Sequence, residues 1–241
     1  MPLVSIPRRV EPEWLDRLAP CDPRAIRSRQ DLRRINALMT NAAIVARELR
    51  QEFRNGAPRR VADIGAGDGT FMLQVARKSG WENVQLVLLD RQDIVSRETR
   101  EAFPSLGWNA ETVTADVFEW LARPPDPFID VIIANLFLHH FNVAQLTLLF
   151  SLAAQRSPVL LACEPRRSGV ALTASRLLGL IGCNDVSRHD AETSVHAGFR
   201  GRELSGLWQG DGAWTVREGA SGMFSHCFVA RRPGQSGAAA R

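Results

Sequence analysis

The chain of 241 residues contains no tyrosine, and Lys78 is its single lysine. Without tyrosine, no phenol side chain can act as a catalytic base. Arginine supplies the other basic residues, and the formal net charge is only +4. Since the sequence has neither a lysine-rich patch nor an appended nucleic-acid module, we do not expect a nucleic-acid partner.

Cysteines are few and scattered, without the C-x-x-C spacing of zinc sites or the pattern of a disulfide framework. They are Cys21, Cys163, Cys183 and Cys227. We therefore expect no metal. No apolar run reaches the roughly 20 residues of a membrane span, and the first residues lack the order of a secretory signal. These absences predict a cytoplasmic protein without membrane insertion, either a monomer or a homodimer.

A glycine-rich stretch is the most informative feature that is present. Residues 61–71 read Val-Ala-Asp-Ile-Gly-Ala-Gly-Asp-Gly-Thr-Phe, so an apolar run ends in Asp63 and glycine then occupies every second position. Glycine is needed where a Cβ would block close approach or where φ is positive. The pattern predicts a buried strand that turns tightly into a helix, which is where open α/β folds bind nucleotide-like ligands.

The spacing of the glycines identifies the ligand class. A dinucleotide-binding loop has its third glycine three residues after the second, but that position is Thr70. With Asp63 at the strand end, the stretch instead resembles the D-x-G-x-G-x-G motif of class I methyltransferases that use S-adenosylmethionine (SAM). The resemblance implies that the loop wraps the amino-acid part of SAM and that Asp63 engages its amino group.

The remainder of the chain alternates between apolar strands and helices, with strands predicted near 61–64, 84–90, 112–115, 129–134 and 159–163. Strands that are apolar on both faces indicate a parallel sheet covered on two sides. Two closing strands are predicted at 214–218 and 224–230, as in the methyltransferase family. The predicted fold class is α/β: a doubly wound, mainly parallel, seven-stranded Rossmann-like sheet with a C-terminal antiparallel hairpin and an N-terminal helical lid.

The predicted domain organisation places the lid at 1–56 and the SAM-dependent domain at 57–232. An irregular substrate insert is expected at about 182–200, and a disordered tail at 233–241. Helices are predicted at 11–18 and 22–53. The arginine-rich part of the second helix, residues 24–34, is either a solvated surface or a cover that closes the SAM pocket.

Acidic residues end the second and third strands. Asp90 can accept from both ribose hydroxyls of a bound nucleoside, or it can cap the following helix. In the resembling family an aspartate at Asp116 accepts from the adenine amine and Val117 packs on the ring, although Asp116 is also suited to capping. The backbone of Asn135 and Leu136 is implied to face the methionine end of SAM. The full predicted cofactor set is Asp63, Gly65, Ala66, Gly67, Gly69, Asp90, Arg91, Asp116, Val117, Asn135 and Leu136.

The base that would deprotonate a methyl acceptor is sought among histidines, which titrate near neutral pH. His139 and His140 follow the fourth strand, at the sheet edge where ligands of open α/β folds bind, and His140 is the first candidate. In this family one histidine of such a pair often only packs or caps beside the site. His189 next to Asp190 is a third candidate, as an oriented base or as ordinary turn chemistry.

The acceptor is predicted to be a small organic molecule. The Asn/Asp-Pro-Pro-aromatic motif of nucleobase and glutamine N-methyltransferases is replaced by Asn-Leu-Phe-Leu at 135–138, which favours methylation of a hydroxyl or carboxyl oxygen. The arginine-rich run at 24–34, the stretch His-Asp-Ala-x-x-Ser-Val at 189–195 and Phe-Ser-His-Cys-Phe at 224–228 carry a weaker resemblance to bacterial methyltransferases found beside type III polyketide synthases. This resemblance implies a secondary metabolite. The alternatives are an RNA or protein methyltransferase and a non-catalytic protein that binds SAM or another nucleoside.

Overall fold

A seven-stranded sheet in the order β3-β2-β1-β4-β5-β7-β6 forms the centre of the molecule. The computed structural model describes residues 6–123, 128–210 and 212–234. The first five strands pair in parallel, and β7 pairs antiparallel with both β5 and β6. The strands are β1 Arg60–Ile64, β2 Val84–Asp90, β3 Trp108–Thr114, β4 Val131–Asn135, β5 Val159–Pro165, β6 Thr215–Ser221 and β7 Ser225–Arg231. The predicted fold class is confirmed.

Helices cover both faces of this sheet. They are α1 Pro23–Met39, α2 Asn41–Glu52, α3 Thr70–Ser79, α4 Arg97–Ala102, α5 Val117–Ala122, α6 Val143–Arg156, α7 Gly169–Arg176 and α8 Asp185–Ala197. One core packs α2 and α3 against one face, and a second packs α5 and α6 against the other. None of the helices described meets the length and apolarity that a bilayer span requires.

The N-terminal helices differ from the prediction. The helix expected at 22–53 is two helices, because Thr40 adopts a left-handed conformation with φ 58°. This break brings the buried Asn41 amide within 3.0 Å of Asn135 Oδ1 at the end of β4. The helix expected at 11–18 is also wrong: only Leu15–Arg17 forms a 3-10 turn.

The insert at 182–200 is not irregular, because most of it forms α8. Asn184 caps this helix by accepting from the Ser187 N–H at 2.8 Å. Its buried face includes Ser187 and Asp190, so the apolar periodicity that reveals most helices is weak here. Of the predicted tail, residues 235–241 lie outside the described residues.

Candidate active site

The glycine loop after β1 lies against the end of β2. The backbone N–H groups of Gly65 and Ala66 donate to the Leu89 carbonyl at 2.9 and 3.0 Å. The Gly67 N–H donates to Asp90 Oδ2 at 2.8 Å. Gly65, Gly67 and Gly69 all have positive φ, between 56° and 74°. The glycines are therefore required by the backbone of the turn.

Asp90 stabilises this loop rather than a helix. Its Oδ1 accepts from the Gln92 N–H at 2.9 Å, and α4 is capped by Ser96 instead. The helix-capping alternative for Asp90 is thus wrong. Because each carboxylate oxygen can accept two hydrogen bonds, both oxygens keep capacity for a ribose. That role stays a prediction, as does the cofactor role of the exposed Arg91.

Asp63 at the end of β1 is buried, with 2% of its surface exposed. Its Oδ1 has no hydrogen-bond partner among the residues that the structure describes. Burial, and then the charge of Asp90, hold the pKa of Asp63 well above its usual range. An orphaned buried oxygen is costly, so this position is suited to a ligand that donates a hydrogen bond or carries positive charge.

Asp116 caps α5, with Oδ1 accepting from the Phe118 and Glu119 N–H groups at 2.8 and 3.4 Å. The capping alternative is therefore observed, although it uses only one of the two carboxylate oxygens. Val117 is buried beside it. Contact of this pair with an adenine stays a prediction.

The turn after β4 is strained. Leu136 has φ 50°, a conformation that costs a bulky residue about 1–3 kcal/mol and that clusters at functional sites. Phe137 follows, and its ring lies directly on the backbone of Gly65. Phe137 also contacts Phe141 edge-to-face at 5.0 Å between ring centroids, and Phe141 contacts Phe118 in the same way at 5.4 Å. These partly buried rings form an aromatic wall at the sheet edge.

Glu164 holds this turn in place. It is fully buried at the end of β5, and its Oε1 accepts from the Phe137 and Leu138 N–H groups at 3.0 and 2.9 Å. Its Oε2 accepts from the His139 N–H at 3.3 Å and lies 2.8 Å from His139 Nδ1. An acidic residue at a strand end was the available signal, but its partners depend on the register of β4 and β5.

His139 is clamped between two carboxylates. Besides Glu164, the Oε1 atom of Glu13 lies 3.3 Å from His139 Nε2. Burial alone would lower the pKa of His139, but hydrogen bonds to Glu13 and Glu164 raise it to about 9. Burial likewise opposes ionisation of Glu13, yet His139 and its neighbours lower the Glu13 pKa to about 2. His139 is thus a buried cation with both ring nitrogens engaged.

His140 has the opposite electrostatic character. Its side chain is 25% exposed, and Nδ1 lies 3.6 Å from Asp16 Oδ2. Burial, and then the charge of His139, lower its pKa. At neutral pH His140 is therefore an uncharged imidazole with a free lone pair. The two histidines are adjacent in the chain, but they differ in charge at neutral pH.

His189 lies on α8, not in a loop. Its Nδ1 is 2.9 Å from Asp190 Oδ1, and its ring stacks on Trp14 at 3.9 Å between centroids. Asp190 also accepts from the Trp14 and Leu15 N–H groups at 2.8 and 2.9 Å. A surface pocket of about 270 Å³ is lined by Arg9, Glu11, His189, Glu192, Thr193 and His196. His189 therefore belongs to the contact between α8 and the N-terminal residues.

Comparison with known proteins gives the class of this fold. Residues 61–156, from β1 to the end of α6, match the family model described as a methyltransferase domain. This part of the chain therefore resembles a methyltransferase domain. No curated protein sequence matches the chain.

Solved structures share the fold of most of the chain. The plantazolicin methyltransferase BpumL, in complex with SAH, is 13% identical and has a TM-score of 0.61. The match covers 88% of this chain and 91% of that one. An O-methyltransferase family protein from Burkholderia thailandensis is 19% identical with a TM-score of 0.60, covering 88% of this chain and 60% of that one. The mitomycin 7-O-methyltransferase MmcR is 19% identical with a TM-score of 0.58, and the match covers 90% of this chain and 60% of that one.

The N-terminal helices reach the glycine loop after β1. Arg33 of α1 donates through Nε to Asp68 Oδ2 at 2.8 Å. Asn36 Oδ1, near the end of the same helix, accepts from the Asn135 amide at 3.2 Å. The arginine-rich helix is therefore not only a solvated surface, and its contacts favour the alternative in which it covers the loop.

Proposed function

We propose that this protein transfers a methyl group from SAM to an oxygen of a small organic molecule. The observation that carries the proposal is the glycine loop, fixed by Asp90, beside the buried Oδ1 of Asp63, which has no partner in the part of the chain that the structure describes. The fold supports it: BpumL is seen with SAH, and two other proteins of this fold are O-methyltransferases by name.

The residues at the sheet edge fit SAM. Its amino group would supply the donor and the positive charge that Asp63 Oδ1 lacks among the described residues. An ideal Cβ on Gly67 would meet no heavy atom within 4 Å, so one side of the loop is open to a ligand. The residues proposed to hold SAM are Asp63, Gly65, Ala66, Gly67, Gly69, Asp90, Arg91, Asp116, Val117, Asn135 and Leu136.

Bound SAM supplies an activated methyl group, so the protein has to orient the acceptor and take its proton. We propose that His140 takes the proton of the acceptor, because it is uncharged at neutral pH and partly exposed at the sheet edge. His139 is a poor base because it already carries a proton and both of its nitrogens contact carboxylates. His189 is committed to Asp190 and Trp14.

The surroundings of His140 favour a hydroxyl over a carboxylate as the acceptor. Three carboxylates, those of Glu13, Asp16 and Glu164, act on the pKa of His140 against one cation, His139, so an anionic substrate would be repelled. The half-buried rings of Phe137 and Phe141 offer a flat apolar surface. We therefore propose a hydroxyl on an aromatic or polyketide-type metabolite, with residues 1–56 acting as a lid over it.

Replacing His140 with alanine is expected to lower the rate of methyl transfer by about 10²–10⁴-fold, the usual contribution of a general base. Radiolabelled SAM is incubated with a panel of phenols, fatty acids and polyketides, and the best acceptor is followed across pH. The native rate should fall as pH drops through the lowered pKa of His140, and the variant should lose this limb. An unaltered profile would remove His140 from the role, and label transfer only to bulk RNA would refute the small-molecule acceptor.

A further inference from the structure

The N-terminal arm, defined here as residues 6–17, lies across α8 and the turn that carries the two histidines. Arg8 donates to the carbonyls of Ala197, His139 and Phe141 at 2.8–3.3 Å. The Arg9 N–H donates to the His196 carbonyl at 3.1 Å. Ser194 of α8 donates to Glu13. The arm is thus anchored at several points, although most of it has no regular secondary structure.

Asp16, near the end of this arm, lies beside His140. The two residues before it are fixed, because Trp14 and Leu15 donate their N–H groups to the carboxylate of Asp190. Asp16 Oδ2 lies 3.6 Å from His140 Nδ1. The charge of Arg91, which follows β2, also acts on Asp16. Asp16 therefore lies beside the turn after β4, although it is more than 100 residues from His140 in sequence.

We propose that Asp16 is a positioning residue for His140. Its carboxylate faces Nδ1 and so stabilises the tautomer that carries the proton on Nδ1, which leaves the lone pair on Nε2. The neighbouring His139 cannot exchange roles with His140, because Glu13 and Glu164 occupy its two nitrogens. This inference rests on the proposed function, since it names what orients the proposed base.

The proton balance follows directly. As the acceptor oxygen bonds to the methyl carbon and the sulfur–carbon bond breaks, the acceptor proton moves to His140 Nε2. The resulting imidazolium is stabilised by Asp16, and it later loses its proton to water. Four titratable groups act on His140: His139 opposes its protonation, whereas Glu13, Asp16 and Glu164 favour it.

Asp16→Asn tests this proposal in the full chain. Because Asp16 favours protonation of His140, the variant should move the acidic limb of the pH–rate profile to lower pH. The turnover rate should fall at least about tenfold but less than in His140→Ala, with KM for SAM unchanged. Asp16→Glu should recover part of the rate. Glu11→Gln, an exposed acid of the same arm, is the matched control and should behave as the native protein.

A spectroscopic readout separates this inference from the proposed function. In the native protein, ¹⁵N chemical shifts of the His140 ring should show the proton on Nδ1, and Asp16→Asn should shift the population toward Nε2–H and lower the pKa of His140. The titration needs neither SAM nor an acceptor. If native His140 carries its proton on Nε2, or if Asp16→Asn changes neither the shifts nor the profile, the inference is wrong even where methyl transfer is observed.

Discussion

Gly65→Ala is expected to weaken SAH binding at least about tenfold, a loss of about 1.4 kcal/mol, and to lower the free energy of unfolding by about 2–5 kcal/mol. Gly65 has φ 74°, which an alanine adopts only at a cost of about 1–2 kcal/mol. A Cβ there would lie 2.8 Å from Phe137 Cε2 and still closer to Cγ and Cδ2. Overpacking of this kind costs about 1–3 kcal/mol more.

Gly67→Ala is the matched control for the stability part of this prediction. Its φ is also positive, at 56°, but a Cβ there meets no heavy atom within 4 Å. It should therefore lose stability only through backbone strain, about 1–2 kcal/mol. Chemical denaturation and calorimetry with SAH measure both effects. Equal losses of stability in the two variants would show that the Phe137 ring does not restrict position 65.

Glu164→Gln is expected to lower the free energy of unfolding by about 3–5 kcal/mol, as when one partner of a buried ion pair is removed. The glutamine amide would face the His139 N–H or Nδ1–H, where the native Oε2 accepts. Donor would then oppose donor in a buried site. Urea denaturation of the native and variant proteins at neutral pH measures the difference.

The Glu164 effect should also depend on pH. The folded-state pKa of His139 is raised to about 9, above its unfolded value of about 6.5. The stability from this ion pair is therefore fully present below about pH 6.5 and is lost as pH rises through about 9. Glu111→Gln, which removes an exposed partner of Arg60, should cost less than about 1 kcal/mol at any of these pH values. A pH-independent loss in Glu164→Gln would contradict the charged state of His139.

The sheet and the glycine loop could be predicted because their signals are local. Apolar runs mark the buried strands, and the alternate glycines after Asp63 mark a turn with positive φ. The spacing of acidic residues at strand ends also follows from a parallel sheet. The prediction was least complete for the third strand, which begins at Trp108 rather than at 112. The side chains of this strand alternate in burial at the edge of the sheet.

The roles of the two histidines could not be predicted because they are set by distant residues. Glu13 is 126 positions from His139 in sequence, and Glu164 is 25 positions away. The same limitation applied to α8, whose buried Asp190 accepts hydrogen bonds from the backbone of the arm. No periodicity in the sequence predicts such contacts. They form only when folding brings the arm, α8 and the turn after β4 together.

Titration calorimetry of the purified protein with SAH tests the central claim most directly. We predict binding at a single site, weakened by Asp90→Ala by about 1–3 kcal/mol as its charged hydrogen bonds are lost. Denaturation curves show whether Asp90→Ala remains folded, so a lost ligand contact is distinguished from a collapsed loop. Absence of SAH and SAM binding to the folded native protein would contradict the assignment of the sheet edge as a SAM site.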